Sequence, residues 1–350
     1  MLALNAKDYF EARSELRAAF LADNIGGDFD IKLVASDWAS RRYFRIRRPN
    51  GGTQILMEAI PDHTGQYTPG HKLSDYIRIS YALREAGIRA PQIAVSDEHE
   101  GYLLLEDFGD LSVYAALEQG EDADVLYGEA TNILIRMRDN LKNNNLNLPD
   151  YYAGHVHKGR QRIVDWYIPA TRSAKNADGL LESYLAAWTA VEKHLPPCPM
   201  GFSHGDYHAQ NLMRLDDALG VLDFQGAMWG PLPYDLANLL EDIRRDVPPD
   251  IRAAMIGRYD VGETFSLWYR VMATQFHCRI LGQTLRLAIA GGRPDFLKFI
   301  PRVQNYIREA LDAPVLKPLA QWFQEEKVDL EAENCFDPGR VKEFIRHDAF

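Results

Sequence analysis

The sequence is short of three things, and each shortage narrows the field. Cysteine is scarce: 350 residues hold only Cys198, Cys278 and Cys335, widely spaced and without a CxxC or Cys/His pattern. That argues against a disulfide framework or a thiolate metal site and leaves reduced thiols, for which a cytoplasmic location is expected. Positive charge is in deficit, with 39 Lys plus Arg against 50 Asp plus Glu and a formal net charge of -11. Such a surface repels nucleic acid and anionic lipid, so neither nucleic acid nor membrane is an expected partner. Long apolar runs are also missing, and no segment reaches the length of a membrane span. Residues 1–20 interleave Lys7, Asp8, Glu11, Arg13, Glu15 and Arg17 with apolar positions, the pattern of an amphipathic helix rather than a signal peptide.

What is present is the composition of a globular protein, 46% hydrophobic and 25% charged. The length suits two lobes better than one core. A first helix is expected over 1–24, with Phe10, Leu16, Phe20 and Leu21 as packing residues. Strand patterns follow at 31–34, 43–47 and 54–57, the last two joined by a Pro49-Asn50-Gly51-Gly52 turn. A helix over 74–86 ends at Gly87, and strands at 93–95 and 102–105 complete a five-stranded antiparallel sheet. From 107 onward the spacing is mostly helical, including segments near 157–171, 234–245 and 261–290. The expected fold is therefore α+β, with a small sheet lobe over 1–106 and a larger helical lobe over 107–350. A monomer is expected.

The chemistry concentrates between residues 204 and 223. His204-Gly205-Asp206 precedes Asn211, five residues after the Asp, and Leu219–Leu222 leads to Asp223. An Asp-x4-Asn spacing is that of a kinase catalytic loop, in which the Asp receives the proton of the attacking hydroxyl and the Asn holds a metal ion. A second Asp after a hydrophobic strand supplies another metal ligand. Phosphoryl transfer calls for this set because the protein mainly positions the nucleophile and neutralises charge. Turn residues and a helix cap are the alternative assignment of the same side chains.

On these residues the chain resembles the aminoglycoside phosphotransferase family, the small-molecule branch of the protein-kinase-like fold. Gly230-Pro231-Leu232-Pro233-Tyr234-Asp235-Leu236-Ala237 is similar to that family's GxxxxDLA segment, whose Asp braces the catalytic loop. Further segments, Ser40–Arg45, Leu103–Asp110 and the stretches around Ile280-Leu281-Gly282 and Ile300–Val303, resemble a bacterial subgroup of kinases in cell-wall recycling. That subgroup phosphorylates the anomeric hydroxyl of N-acetylmuramate and N-acetylglucosamine. The resemblance implies a bilobal fold, ATP and Mg2+ as cofactors, and a sugar and a nucleotide as the molecules bound. It implies Asp206 as base, His204 as the residue orienting the loop, Asn211 and Asp223 as metal ligands and Asp235 as brace. His208 has no expected role in proton transfer.

Two features depart from the wider kinase pattern. The loop between the first two strands, Ser36–Arg42, lacks the glycines of GxGxxG, so Ser40, Arg41 and Arg42 are the candidates for phosphate contact. The third strand carries Met57-Glu58 where a lysine is expected, so an arginine of the preceding strands is one candidate for its charge. Adenine is expected near Glu106, Asp107 and Phe108. For the acceptor, Trp166, Arg270 and Arg279 are candidates, with core packing the leading alternative for Trp166. Alternatives to the sugar kinase are a kinase for another hydroxyl (aminoglycoside, choline or homoserine type) and a non-catalytic nucleotide-binding protein.

Overall fold

The computed structural model describes residues 10, 12–36, 41–66, 72–143, 145–259, 262, 264–333 and 336–345. Ser40, Cys335 and most of the expected helix before residue 12 lie outside these residues. Contacts group the chain into two compact units, 1–147 with 209–227, and 148–208 with 228–350. The expected division at residue 106 differs: residues 107–147 and the segment after the catalytic loop group with the sheet. Among the described residues no helix is long and apolar enough to cross a membrane.

The first unit is built on strands β1 (Asp30–Ser36), β2 (Arg41–Arg47), β3 (Thr53–Ala59), β4 (Ile93–Asp97) and β5 (Tyr102–Glu106), in the order β1-β2-β3-β5-β4 and antiparallel throughout. Because side chains alternate along a strand, the register sorts β2 into two faces. Arg42 pairs with Glu58, and Arg41 and Tyr43 pair with Ala59 and Met57 on the other face. The Glu58 face is covered by α1 (Ser14–Asn24), whose Phe20 and Leu21 join Phe44, Ile46, Leu56 and Tyr102 in a small core. Arg17 Nη1 lies 3.0 Å from Glu58 Oε2 and Arg13 Nε 3.6 Å from Oε1. Leu16, expected to pack, is instead 47% exposed, because the stripe made by residues 13, 17, 20 and 21 takes the contact. The opposite face receives Tyr76 from α2 (Leu73–Glu85), which lies over Arg41.

Helices α3 (Val113–Glu118) and α4 (Ala123–Asn140) continue this unit, with Ser112 and Asp122 as side-chain N-caps. The hairpin of β7 (Leu212–Arg214) and β8 (Leu219–Val221) also belongs to it. Isolated bridges tie Gly220 to Arg89 and Met213 to Ser112, which is why this segment groups with the sheet.

The second unit is mostly helical. Its core gathers Trp166, Tyr184, Trp188, Trp268, Met272, Leu281 and Ile307, among others. The longest helix, α8 (Phe265–Ile289), runs through it, accompanied by α5 (Leu180–Glu192), α6 (Pro233–Leu240), α7 (Pro249–Tyr259), α9 (Ile300–Leu311) and α10 (Lys317–Glu325). The segment expected as one helix near 157–171 is a succession of turns: His155–Lys158, a tight turn over Gly159–Gln161, a wide π turn over Ile163–Tyr167, then Ile168–Arg172. Its backbone is pressed against α8 at Gly282, where an added Cβ would lie 2.0 Å from the Arg162 carbonyl oxygen. A two-stranded ribbon, β6 (Met200–Ser203) with β9 (Met228–Pro231), delivers the chain to His204.

Candidate active site

The catalytic loop starts where β6 ends. Gly205 takes φ +84°, a conformation glycine adopts without a Cβ penalty, and turns the chain sharply after His204. Asp235, in the first turn of α6, accepts hydrogen bonds from the backbone N–H of His204 (2.6 Å) and of Gly205 (2.9 Å). Both oxygens of one buried carboxylate are thus spent on backbone, the geometry of a brace. Desolvation raises the Asp235 pKa, opposed by the neighbouring His204 and by the two N–H donors. His204 is itself buried, and its Nδ1 accepts from the Asp206 N–H at 3.3 Å.

Asp206 projects from this braced turn with its side chain 56% exposed. The buried His208 places Nε2 3.5 Å from its Oδ2. Desolvation pushes the carboxyl up, but the charge and hydrogen bond of His208, with Arg244 and Arg279, outweigh it and hold the group well below the usual carboxylate range. Asp206 is therefore an exposed, ionised carboxylate in a cationic setting. The sequence reads His208 as a loop residue without a role in proton transfer; the structure places it 3.5 Å from the Asp206 carboxylate, a contact for which the two-residue spacing is the available signal.

Asn211 and Asp223 belong to the first unit. The Leu222 N–H donates to the Asn211 carbonyl at 2.9 Å, extending the hairpin ladder by one rung beyond Leu212–Val221. That rung fixes the Asp223 loop beside Asn211. Asp223 has φ 60°, a left-handed backbone that Asp tolerates better than most side chains. Its Oδ1 accepts a short hydrogen bond from Gln225 Nε2. Among the described residues no three His, Cys, Asp or Glu side chains gather as a ligand cluster. The side chains of Asn211 and Asp223 offer one amide and one carboxylate oxygen, donors of the kind that a hard cation such as Mg2+ takes beside waters and phosphate oxygens.

Of the nucleotide candidates, Arg41 is almost fully buried, at 1% exposure, and its guanidinium carbon lies 5.9 Å from the Tyr76 ring centre. Tyr76 has its pKa raised by burial first, with Tyr43 and Asp223 adding to the rise and Arg41 opposing it. Tyr76 thus lies within electrostatic reach of both Arg41 and Asp223 in the first unit. Arg42 faces the other way, over the Phe10 ring at 4.8 Å. The side chains of Glu106, Asp107 and Phe108 are engaged within the fold. Glu106 receives Arg89 and the Gln92 N–H, and Asp107 receives Arg45 at 2.7 and 3.0 Å. Phe108 covers Gly220.

The acceptor candidates separate. Trp166 is buried in the core of the second unit. Arg270 and Arg279 are nine residues apart on α8, which at 100° per residue places them on opposite sides of the helix. Arg270 Nη1 lies 3.5 Å from the buried Glu241, whereas Arg279 donates to the Tyr234 hydroxyl at 2.8 Å and acts on Asp206.

The geometry can be set beside known proteins. The solved structure of a choline/ethanolamine kinase family protein from Mesorhizobium loti superposes with a TM-score of 0.58 at 13% identity, over 91% of this chain and 99% of that one. Spectinomycin phosphotransferase APH(9)-Ia, solved with ADP and spectinomycin, gives 0.58 at 12% identity, over 89% and 98%. Curated relatives include an N-acetylmuramate/N-acetylglucosamine kinase of Neisseria meningitidis serogroup B, 28% identical over 80% of this chain and 85% of the relative. The protein of the same description from Caulobacter vibrioides is 28% identical over 89% and 96%. The model of the phosphotransferase enzyme family, APH, matches residues 30–271, which hold Asp206, Asn211, Asp223 and Asp235. By this match, over more than half of its length, the chain belongs to the APH phosphotransferase enzyme family.

Proposed function

We propose that this phosphotransferase is an ATP-dependent sugar kinase that phosphorylates the anomeric hydroxyl of N-acetylmuramate or N-acetylglucosamine. The observation that carries the proposal is Asp206: braced through Asp235, exposed, and kept ionised by His208, Arg244 and Arg279. A carboxylate so held orients an acceptor hydroxyl and takes its proton late in the transfer, when the oxygen has become acidic. Asn211 and Asp223 would hold Mg2+, which neutralises charge on the nucleotide phosphates. Arg41 supplies the charge for which β3 has no lysine, since it sits on the strand beside Met57, on the same face and against Tyr76. The sugar assignment draws on the relatives described as N-acetylmuramate/N-acetylglucosamine kinases. A cationic acceptor such as choline would meet Arg244 and Arg279 beside Asp206, an unfavourable pairing of like charges.

The test is ATP consumption with N-acetylmuramate, N-acetylglucosamine, choline and kanamycin, followed by phosphorus NMR of the product. The expected product has lost its reducing end and releases phosphate in mild acid. Phosphate at the 6-hydroxyl, or turnover of another alcohol alone, would refute the anomeric assignment while leaving a kinase.

A further inference from the structure

Three arginines of the second unit meet where α8 crosses the turns at 159–167. The crossing is close because glycine stands at both contact points. A Cβ on Gly282 would lie 2.7 Å from the Arg162 Cβ, and one on Gly159 would lie 2.9 Å from Arg279 Cδ. Arg279 and Arg286 stand three residues before and four after Gly282, so both flank Arg162 on one face of α8. Arg279 is fixed by its bond to Tyr234, and its Nε is buried with no hydrogen-bond partner. Among the described residues neither Arg162 nor Arg286 has a side-chain hydrogen bond or ion pair. The Arg162 pKa is pushed down to about 10, by desolvation first and then by Arg279 and Arg286; Tyr234 and Asp165 oppose the shift.

Like charges held together in a partly desolvated place cost stability unless an anion offsets them. Two carboxylates stand near, and neither closes the cluster. Asp165 already receives Gln161, and Asp206 is the exposed group assigned to the acceptor hydroxyl. The guanidinium set therefore remains available to a carboxylate brought in by a ligand, for which planar forked donors are suited. Its link to Asp206 runs through Arg279, so that carboxylate would belong to the molecule whose hydroxyl Asp206 engages.

We propose that Arg162, Arg279 and Arg286 form a carboxylate-binding subsite that selects acceptors carrying an anionic substituent near the reactive hydroxyl. On the sugar-kinase proposal above, on which this inference rests, that substituent is the lactyl carboxylate of N-acetylmuramate, which N-acetylglucosamine lacks.

The test uses Arg162→Met and Arg286→Met, which lie on different elements and spare Arg279 beside Asp206. For each, calorimetric binding and kcat/KM are measured with N-acetylmuramate, its methyl ester and N-acetylglucosamine, and MgATP affinity is measured alongside. Each variant is expected to lose about tenfold or more in affinity for N-acetylmuramate, the size of one charge-assisted hydrogen bond. The ester and N-acetylglucosamine should stay within about twofold of wild type, and MgATP should be unchanged. Equal losses on all three acceptors, no loss on N-acetylmuramate, or a loss confined to MgATP would each overturn the subsite. If one variant does not fold, the other decides by the same outcomes. Wild-type protein that binds and phosphorylates neither sugar would refute the functional proposal and this one with it. Failure in the variants alone removes only the subsite.

Discussion

Asp206 and Asp223 are both exposed aspartates on short loops, yet their surroundings are opposites. In the second unit, Asp206 is ringed by His208, Arg244 and Arg279, and its loop is pinned by Asp235. In the first unit, Asp223 takes one hydrogen bond from a neutral amide, Gln225, and sits on a left-handed backbone next to the Asn211 rung. A group that must remain a base gains from fixed positive charge, because the charge keeps it ionised at the pH of use. A group that must bind a cation loses by it, because a resident cation would compete for the same oxygens. The fold thus separates two carboxylates of the same residue type by what each is given as a neighbour.

The difference can be broken most severely by removing the carboxylates themselves. Asp206→Asn should lower turnover by on the order of 10²–10⁴, the usual worth of a positioned base. Asp223→Ala should lose at least as much. Turnover within about threefold of wild type in either variant would remove that residue from its role. Arg41→Met probes the charge placed on the first unit. MgATP affinity should fall by about tenfold or more, on the scale of a lost charge-assisted hydrogen bond. Arg42→Met, on the α1 face, should bind MgATP as wild type does. Equal effects of the two substitutions would mean that β2 register does not decide the phosphate contact.

The smallest effect sharpens the electrostatic half of the comparison. Replacing His208 with Gln removes the imidazole whose electrostatic interaction and hydrogen bond lower the Asp206 pKa, so that pKa should rise. The folded-state pKa of Asp206 is depressed, so the ionised base is present above it and lost as pH falls through it. In His208→Gln the acid limb of kcat/KM, measured with neutral N-acetylglucosamine, should therefore move to higher pH. A limb that stays in place would show that another group sets it.

The turn that carries Asp206 and the hairpin that carries Asn211 and Asp223 were legible in the sequence because local signals specify them. Asp206, Asn211 and Asp223 are tied by short spacings and by a strand-turn-strand pattern, and Asp235 by the resemblance of residues 230–237 to the family's GxxxxDLA segment. The sheet was legible for the same reason, through period-two patterning and the Asn50-Gly51 turn. Long-range packing was not. Which of Arg41 and Arg42 faces Tyr76 depends on a one-residue register that the sequence pattern leaves open. The meeting of Arg162 with Arg279 and Arg286 spans more than a hundred residues and depends on the bare backbone at Gly282. Helical spacing near 157–171 concealed a π turn, since a single five-residue turn is too short to shift the apolar positions visibly from the α pattern. The segment at 209–227 joined the sheet unit through bridges to Arg89 and Ser112, distant partners that local patterning does not reveal.

The division of labour between the two aspartates is tested most directly by titrating MgATP into Asp206→Asn and Asp223→Ala under identical conditions. The account predicts wild-type affinity for Asp206→Asn and no measurable Mg2+-dependent binding for Asp223→Ala. Equal affinity in the two variants, whether both retained or both lost, would contradict it.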